Sequence, residues 1–128
     1  MSRTLDDFAA RSGVRADFSA ADLPGTLAPR TQVEVLRVLQ EALTNVRKHA
    51  DATVVRVAAE AADGVLHLVI MDNGRGFRPE ESSGDGLGLQ GMKERARLMG
   101  GEMHVHSEPS GGTTVELLVP VRDNVRPA

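Results

Sequence analysis

Residues 53–76 read TVVRVAAEAADGVLHLVIMDNGRG, and this stretch decides the fold class. Thr53–Ala59 is rich in β-branched residues and predicts a strand, and Val65–Met71 predicts a second one. Asp63 and Gly64 between them are a pair typical of tight turns, so the two strands should form a hairpin. The glycine-rich segment that follows is too long for a hairpin turn and predicts a loop over Asp72–Gly88.

Upstream of the hairpin, the sequence predicts one long helix. Pro29–His49 carries apolar residues at spacings of three and four and has proline in its first turn. The expected core stripe consists of Leu36, Leu39, Leu43 and Val46. Earlier in the chain, Val14–Ser19 predicts a weak edge strand, Ala20–Ala28 predicts a loop, and Met1–Arg11 could be a short helix or a frayed leader.

Downstream of the loop, Leu89–Met99 predicts a second helix that ends at Gly100 and Gly101. Glu102–His106 and Thr114–Val119 alternate as strands, with a turn at Ser110–Gly112. Hairpins imply a mixed, mostly antiparallel sheet with helices on one face, which is an α+β two-layer sandwich. The absence of a βαβ rhythm argues against a Rossmann fold. We expect one domain over residues 1–128, with residues 1–13 and 121–128 peripheral.

Composition excludes several classes of function. The 128 residues include no cysteine, so disulfides, thiolate metal sites and catalytic thiols are absent, which fits a reducing, cytoplasmic setting. The net charge of -3 without a basic block disfavours nucleic-acid binding. No apolar run approaches the ~20 residues of a membrane span, so we expect no membrane contact, and no signal peptide is visible.

Polar residues on the long helix could serve a site. Glu41 and Asn45 lie one turn apart, rotated away from the apolar stripe, and Lys48 and His49 follow. Taken alone, this helix is better explained by a solvated face, as most polar helix stripes are. The alternative is a carboxylate that handles a proton and an amide oxygen that suits Mg²⁺.

The glycine-rich loop offers two further candidate segments. Asp72 at a strand end could accept a hydrogen bond from an adenine amino group, while Gly74 and Gly76 let the backbone approach a flat base. The alternative without a function is that these residues form an ordinary turn, since Asp, Asn and Gly are common in turns. Gly84–Leu89 runs into a helix, where exposed N–H groups could hold phosphate. Thr113 follows a glycine pair and could either close the same pocket or belong to a plain hairpin turn.

Together these segments resemble the catalytic domain of sensor histidine kinases. Residues 41–50 (EALTNVRKHA) resemble the family's N box, residues 72–77 (DNGRGF) its G1 box and residues 86–89 (GLGL) its G2 box. Residues 91–101 (GMKERARLMGG) resemble the segment found in kinases paired with NarL-type response regulators. The resemblance covers residues 29–120 and implies the Bergerat-type ATP fold shared with gyrase, heat-shock protein 90 and MutL.

The resemblance also implies roles for individual residues. Asn45 would bind Mg²⁺, and Glu41 would help activate the phosphoryl acceptor. Asp72 would recognise the amino group of adenine. The remaining expected ATP contacts are Lys48, His49, Gly74, Gly76, Gly86, Leu87, Gly88 and Thr113, with Arg75 and Arg78 as candidate lid residues.

The sequence departs from a complete kinase of this family in two respects. Its four histidines precede Ala50, Leu68, Val105 and Ser107, so none has the acidic neighbour of an acceptor histidine. The last glycine box begins with Ser110, where the family more often has glycine. We therefore expect a domain that binds Mg-ATP and phosphorylates a histidine on a separate dimerisation domain, which passes the phosphate to a response regulator. An anti-sigma-factor serine kinase and a degenerate scaffold are the alternatives.

Overall fold

The structure is a computed structural model that describes residues 2–21, 28–76 and 88–120. Its elements, in chain order, are three α-helices, one π-helical segment and five strands. They are α1 (Ser2–Ser12), β1 (Arg15–Ala21), α2 (Pro29–Asn45), the π segment (Val46–Ala50), β2 (Val54–Ala62), β3 (Val65–Asp72), α3 (Leu89–Leu98), β4 (Glu102–Ser107) and β5 (Thr113–Pro120).

The strands form one sheet in the order β1-β2-β3-β5-β4. The β2–β3, β3–β5 and β4–β5 pairs are antiparallel, which confirms the predicted mixed, mostly antiparallel sheet. The β1 strand lies at the edge, as predicted, and pairs with β2 in parallel. The β1–α2–β2 connection is therefore a single βαβ unit, which the sequence analysis did not identify.

The central hairpin has the register that its turn dictates. Ala62 pairs with Val65, and Asp63 and Gly64 between them both have positive φ, at 54° and 77°. Two residues with positive φ match the right-handed twist of antiparallel strands. Pairing continues up to Val55 opposite Asp72, so the hairpin fixes the place at which β3 ends.

The core lies between one face of the sheet and the helices. Alternate residues of the central strands are buried, as in Leu66, Leu68 and Ile70 of β3, because successive side chains in a strand point to opposite faces. The buried residues of α2 pack into the same cluster, namely Val35, Val38, Leu39, Ala42 and Leu43, followed by Val46. Leu36 is only partly buried but also packs against this cluster, so the predicted core stripe is confirmed.

The N-terminal segment forms the short helix that was one of its two predicted forms, but it is not peripheral as we expected. It forms α1, which contacts β1, and the side chains of Leu5 and Phe8 are buried in the core. Val14, just after the helix, is buried as well. Within residues 2–21, 28–76 and 88–120, no helix is long and apolar enough to cross a membrane. The predicted polar tail over residues 121–128 lies outside the described residues.

Candidate functional site

A cleft opens where α2, β3, β5 and the start of α3 meet. Most of its wall is apolar. The apolar side chains are Ala42, Val46, Ala50, Ile70, Leu89 and Val115. The remaining lining residues are Asn45, His49, Asp72, Gly76 and Thr113, all of which the sequence analysis had singled out. An apolar cleft with a few convergent polar groups is the usual form of a small-molecule site.

Asp72 is the last residue of β3, and its carboxyl group faces this cleft. Burial among apolar walls raises the pKa of the Asp72 carboxyl above its ordinary value of 3.8. The backbone N–H groups of Gly74 and Thr113 act in the opposite direction, and the Gly74 N–H donates to Oδ1 at 2.8 Å. The cleft therefore contains a fixed acceptor of hydrogen bonds that burial has partly removed from water.

The loop after Asp72 is held tightly between two other segments of backbone. A Cβ atom on Gly74 would collide with the carbonyl of Ala50, and one on Gly76 would collide with the carbonyl of Glu108. The Arg75 N–H donates to the Ala50 carbonyl at 2.7 Å. Glycine at both positions is therefore required by space, because backbone atoms cannot move aside as a side chain can.

Asn73 anchors the same loop to the beginning of β2. Its Oδ1 accepts hydrogen bonds from the N–H groups of Thr53 and Val54, both at 3.0 Å. Its Nδ2 donates to Thr53 Oγ1 at 2.9 Å. Sequence reasoning missed this role, although an asparagine that follows a strand is a common partner for nearby backbone groups.

The last residue of α2 and the π segment that follows it bring two polar side chains to the cleft. It begins after Asn45 and ends before Asp51, which has the left-handed conformation with φ of 51°. Asn45 and His49 line the cleft, and Arg75 Nε donates to the His49 carbonyl at 2.6 Å. Local π-helical turns inside α-helices frequently lie at functional sites. Lys48 is exposed and is not part of the cleft wall.

The side chain of Glu41, an exposed residue of α2, reaches the start of α3. A Cβ atom on Gly88, the residue before the first residue of that helix, would be 3.1 Å from Glu41 Oε2. Gly88 itself has φ of 65°. The carboxylate is thus near the N-terminus of α3, where negative charge is favoured. Gly86, Leu87 and Arg78 lie outside the described residues.

Thr113 is the first residue of β5, and its side chain is hydrogen-bonded to a residue of β4, the neighbouring strand. Its Oγ1 lies 2.8 Å from Ser107 Oγ, and Ser107 Oγ donates to the Gly112 carbonyl at 3.0 Å. The sequence analysis did not identify Ser107. A serine at the end of a strand gives no signal by itself, and its partner Thr113 becomes a neighbour only through the β4–β5 pairing.

Comparison with known proteins identifies the family. Residues 31–123 match the sequence profile of the histidine kinase-, DNA gyrase B- and HSP90-like ATPases. The chain belongs to this family of ATPases. The match includes the π segment, Asp72 and Thr113, so the cleft lies inside the ATPase domain.

Curated relatives are sensor kinases. The chain is 32% identical over 121 residues to the signal transduction histidine-protein kinase/phosphatase DegS of Brevibacillus brevis, covering 94% of this chain and 31% of DegS. It is 41% identical over 90 residues to the oxygen sensor histidine kinase NreB of Staphylococcus carnosus, covering 70% of this chain and 26% of NreB. The chain thus spans about a third of the length of these relatives or less.

Solved structures show the same fold. The histidine kinase domain of a blue-light activated kinase from Erythrobacter litoralis superposes with a TM-score of 0.80 at 20% identity, over 96% of this chain and 64% of that one. Full-length ShkA in complex with AMPPNP superposes with a TM-score of 0.77 at 23% identity, over 99% of this chain and 29% of ShkA. The expected Bergerat-type two-layer fold is therefore confirmed.

We predict that Gly74→Ala destabilises the domain by about 1–3 kcal/mol, the usual range for overpacking, because its Cβ has to displace the Ala50 carbonyl. The matched control is Gly91→Ala, in α3, where an added Cβ meets nothing within 4 Å. That variant should gain about 0.5–1 kcal/mol from better helix propensity. Urea unfolding measures both free energies, and equal stability of the two variants would contradict the close approach at Gly74.

Proposed function

We propose that this chain binds Mg-ATP in the cleft at Asp72 and supplies the γ-phosphate for phosphorylation of a histidine on a separate dimerisation domain. The observation that supports this most is the partly buried Asp72 carboxyl in an apolar cleft of an ATPase-family domain. The relatives are sensor histidine kinases, which supports two-component signalling through a response regulator in the cytoplasm. They give no support to an anti-sigma-factor kinase.

The adenine end of the cleft is suited to a flat ring with an amino group. Asp72 accepts a hydrogen bond from the amino group, and Ile70 and Val115 contact the ring faces or edges within the apolar wall. The close backbone packing at Gly74 and Gly76 keeps the Asp72 carboxyl in place. The Thr113 hydroxyl is a second polar contact on the same side.

The phosphate end lies toward α2 and α3. Among the described residues, no group of three or more histidine, aspartate or glutamate side chains is placed to hold a metal. Mg²⁺ in nucleotide sites uses few protein ligands and takes further oxygens from the substrate phosphates and from water. Asn45 would supply an oxygen ligand, and the bound ion would neutralise charge on the phosphates. His49 lines the cleft beside Asn45, and Lys48 extends from the next turn toward solvent.

Phosphoryl transfer requires a positioned nucleophile and stabilised charge. The N-terminus of α3 at Gly88 offers backbone N–H groups to the phosphates. Gly86 and Leu87, which we also expect to contact ATP, lie outside the described residues. Glu41 lies next to Gly88, so its carboxylate is close to the transferring group and can take or orient the proton of an incoming histidine. The acceptor histidine belongs to the dimerisation domain.

We expect Asp72→Asn to weaken ATP binding by about 1.5–3 kcal/mol, because the charge-assisted hydrogen bond to the adenine amino group becomes a neutral one at best. The matched control is Asp63→Asn, an exposed turn residue at the opposite end of β3. Isothermal titration calorimetry measures both affinities. ATP affinity that is unchanged in Asp72→Asn would contradict the assignment.

We expect Glu41→Gln to bind ATP with nearly the affinity of the parent and to transfer phosphate about 10²–10⁴ times more slowly, the usual contribution of a general base. Glu60→Gln, exposed on β2, is the control. Radiolabelled phosphate on a separately supplied dimerisation domain gives the transfer rate. A variant that transfers phosphate as fast as the parent would remove Glu41 from the reaction.

A further inference from the structure

Ser107 and Thr113 form a pair of hydroxyl groups at the edge of the cleft. They lie directly opposite each other in the β4–β5 register, and both are half-buried. Thr113 lines the cleft, whereas Ser107 is behind it and is not part of the wall. Ser107 Oγ donates to the Gly112 carbonyl oxygen at 3.0 Å and lies 2.8 Å from Thr113 Oγ1.

The direction of these hydrogen bonds follows from counting protons. Each hydroxyl group has one proton to donate and two lone pairs that accept. The Gly112 carbonyl can only accept, so the hydrogen bond to it uses the proton of Ser107. Ser107 must then accept at its second contact, which makes Thr113 the donor. The Thr113 proton is therefore directed at Ser107, and the lone pairs of Thr113 remain for the cleft.

Thr113 also lies opposite Asp72 in the β3–β5 register, so both side chains meet at the same end of the cleft. An ionised carboxylate only accepts hydrogen bonds, and Thr113 in this arrangement also accepts. Two neighbouring acceptors match a ligand group with two N–H bonds, such as an exocyclic amine. They do not match a carbonyl oxygen, whose lone pairs would face theirs without a proton between them.

We propose that Ser107 is a positioning residue that fixes the Thr113 hydroxyl as an acceptor, so that the cleft selects a purine with an amino group at C6 over one with a carbonyl oxygen. The inference rests on the proposed binding of ATP beside Asp72, and it adds a residue that does not touch the nucleotide. The preference for a C6 amino group over a C6 carbonyl oxygen then depends on whether the Thr113 hydroxyl group accepts or donates a hydrogen bond.

The test compares ATP with ITP, which differ at C6 and N1 of the base, by calorimetry on the whole chain. In Ser107→Ala the Thr113 proton loses its acceptor and is free to turn toward the carbonyl oxygen of ITP. The ratio of the ITP Kd to the ATP Kd should fall about fivefold, the effect of about one net hydrogen bond. Ser107→Thr keeps the hydroxyl group and should retain the parent ratio.

Repeating the Ser107→Ala comparison in a Thr113→Val variant shows whether Ser107 acts through Thr113. In Thr113→Val there is no hydroxyl group to orient, so adding Ser107→Ala should leave the ratio unchanged. Thr114→Val is the matched control, because Thr114 is the next residue in β5 and points to the other face of the sheet. In that background Ser107→Ala should still lower the ratio about fivefold.

The outcomes separate this inference from the proposed function. A parent that binds ATP, with a ratio that does not change in Ser107→Ala, overturns the role of Ser107 and leaves ATP binding intact. A ratio that falls equally in the Thr113→Val background overturns the route through Thr113. A parent that binds no ATP overturns the proposed function and this inference with it. If Ser107→Ala does not fold, Ser107→Cys replaces it, because a thiol is a weak acceptor and should lower the ratio in the same direction.

Discussion

The site depends on the close packing of one stretch of backbone, residues 73–76, between the end of the π segment and the turn before β5. Gly74 is pressed against the Ala50 carbonyl and Gly76 against the Glu108 carbonyl, and Asn73 ties the same stretch to β2. These contacts leave Asp72 little freedom. A carboxyl group held in this way can remain partly buried beside an apolar wall, whereas an unrestrained one would turn toward water.

The other polar residues reach the cleft because the helix and strands that carry them are held in place by core packing and strand register. The buried stripe of α2 holds this helix on the sheet, so that its last residue, Asn45, lies at the opening, and the π segment that follows brings His49 there. The two-residue turn at Asp63 and Gly64 sets the register of the central hairpin and so the end of β3. The geometry of the cleft thus follows from the register of the sheet and the end of one helix.

Much of the fold could be predicted from the sequence, because periodicity and turn pairs act locally. The hairpin at Asp63 and the helix from Pro29 are confirmed for this reason. The parallel pairing of β1 and the burial of Leu5 and Phe8 depend on contacts distant in sequence, and nothing local indicates them. At the site, the motif residues Asn45, His49, Asp72, Gly76 and Thr113 were found and do meet at one cleft. Asn73 and Ser107 were missed, since their partners lie on other strands.

The central claim is that the Asp72 carboxylate recognises the amino group of adenine. Titration of the parent chain with ATP and with GTP by calorimetry in the presence of Mg²⁺ tests it most directly. The account predicts that GTP binds at least about tenfold more weakly, because its carbonyl oxygen at C6 would face a carboxylate that can only accept hydrogen bonds. Equal affinity for the two nucleotides would contradict it.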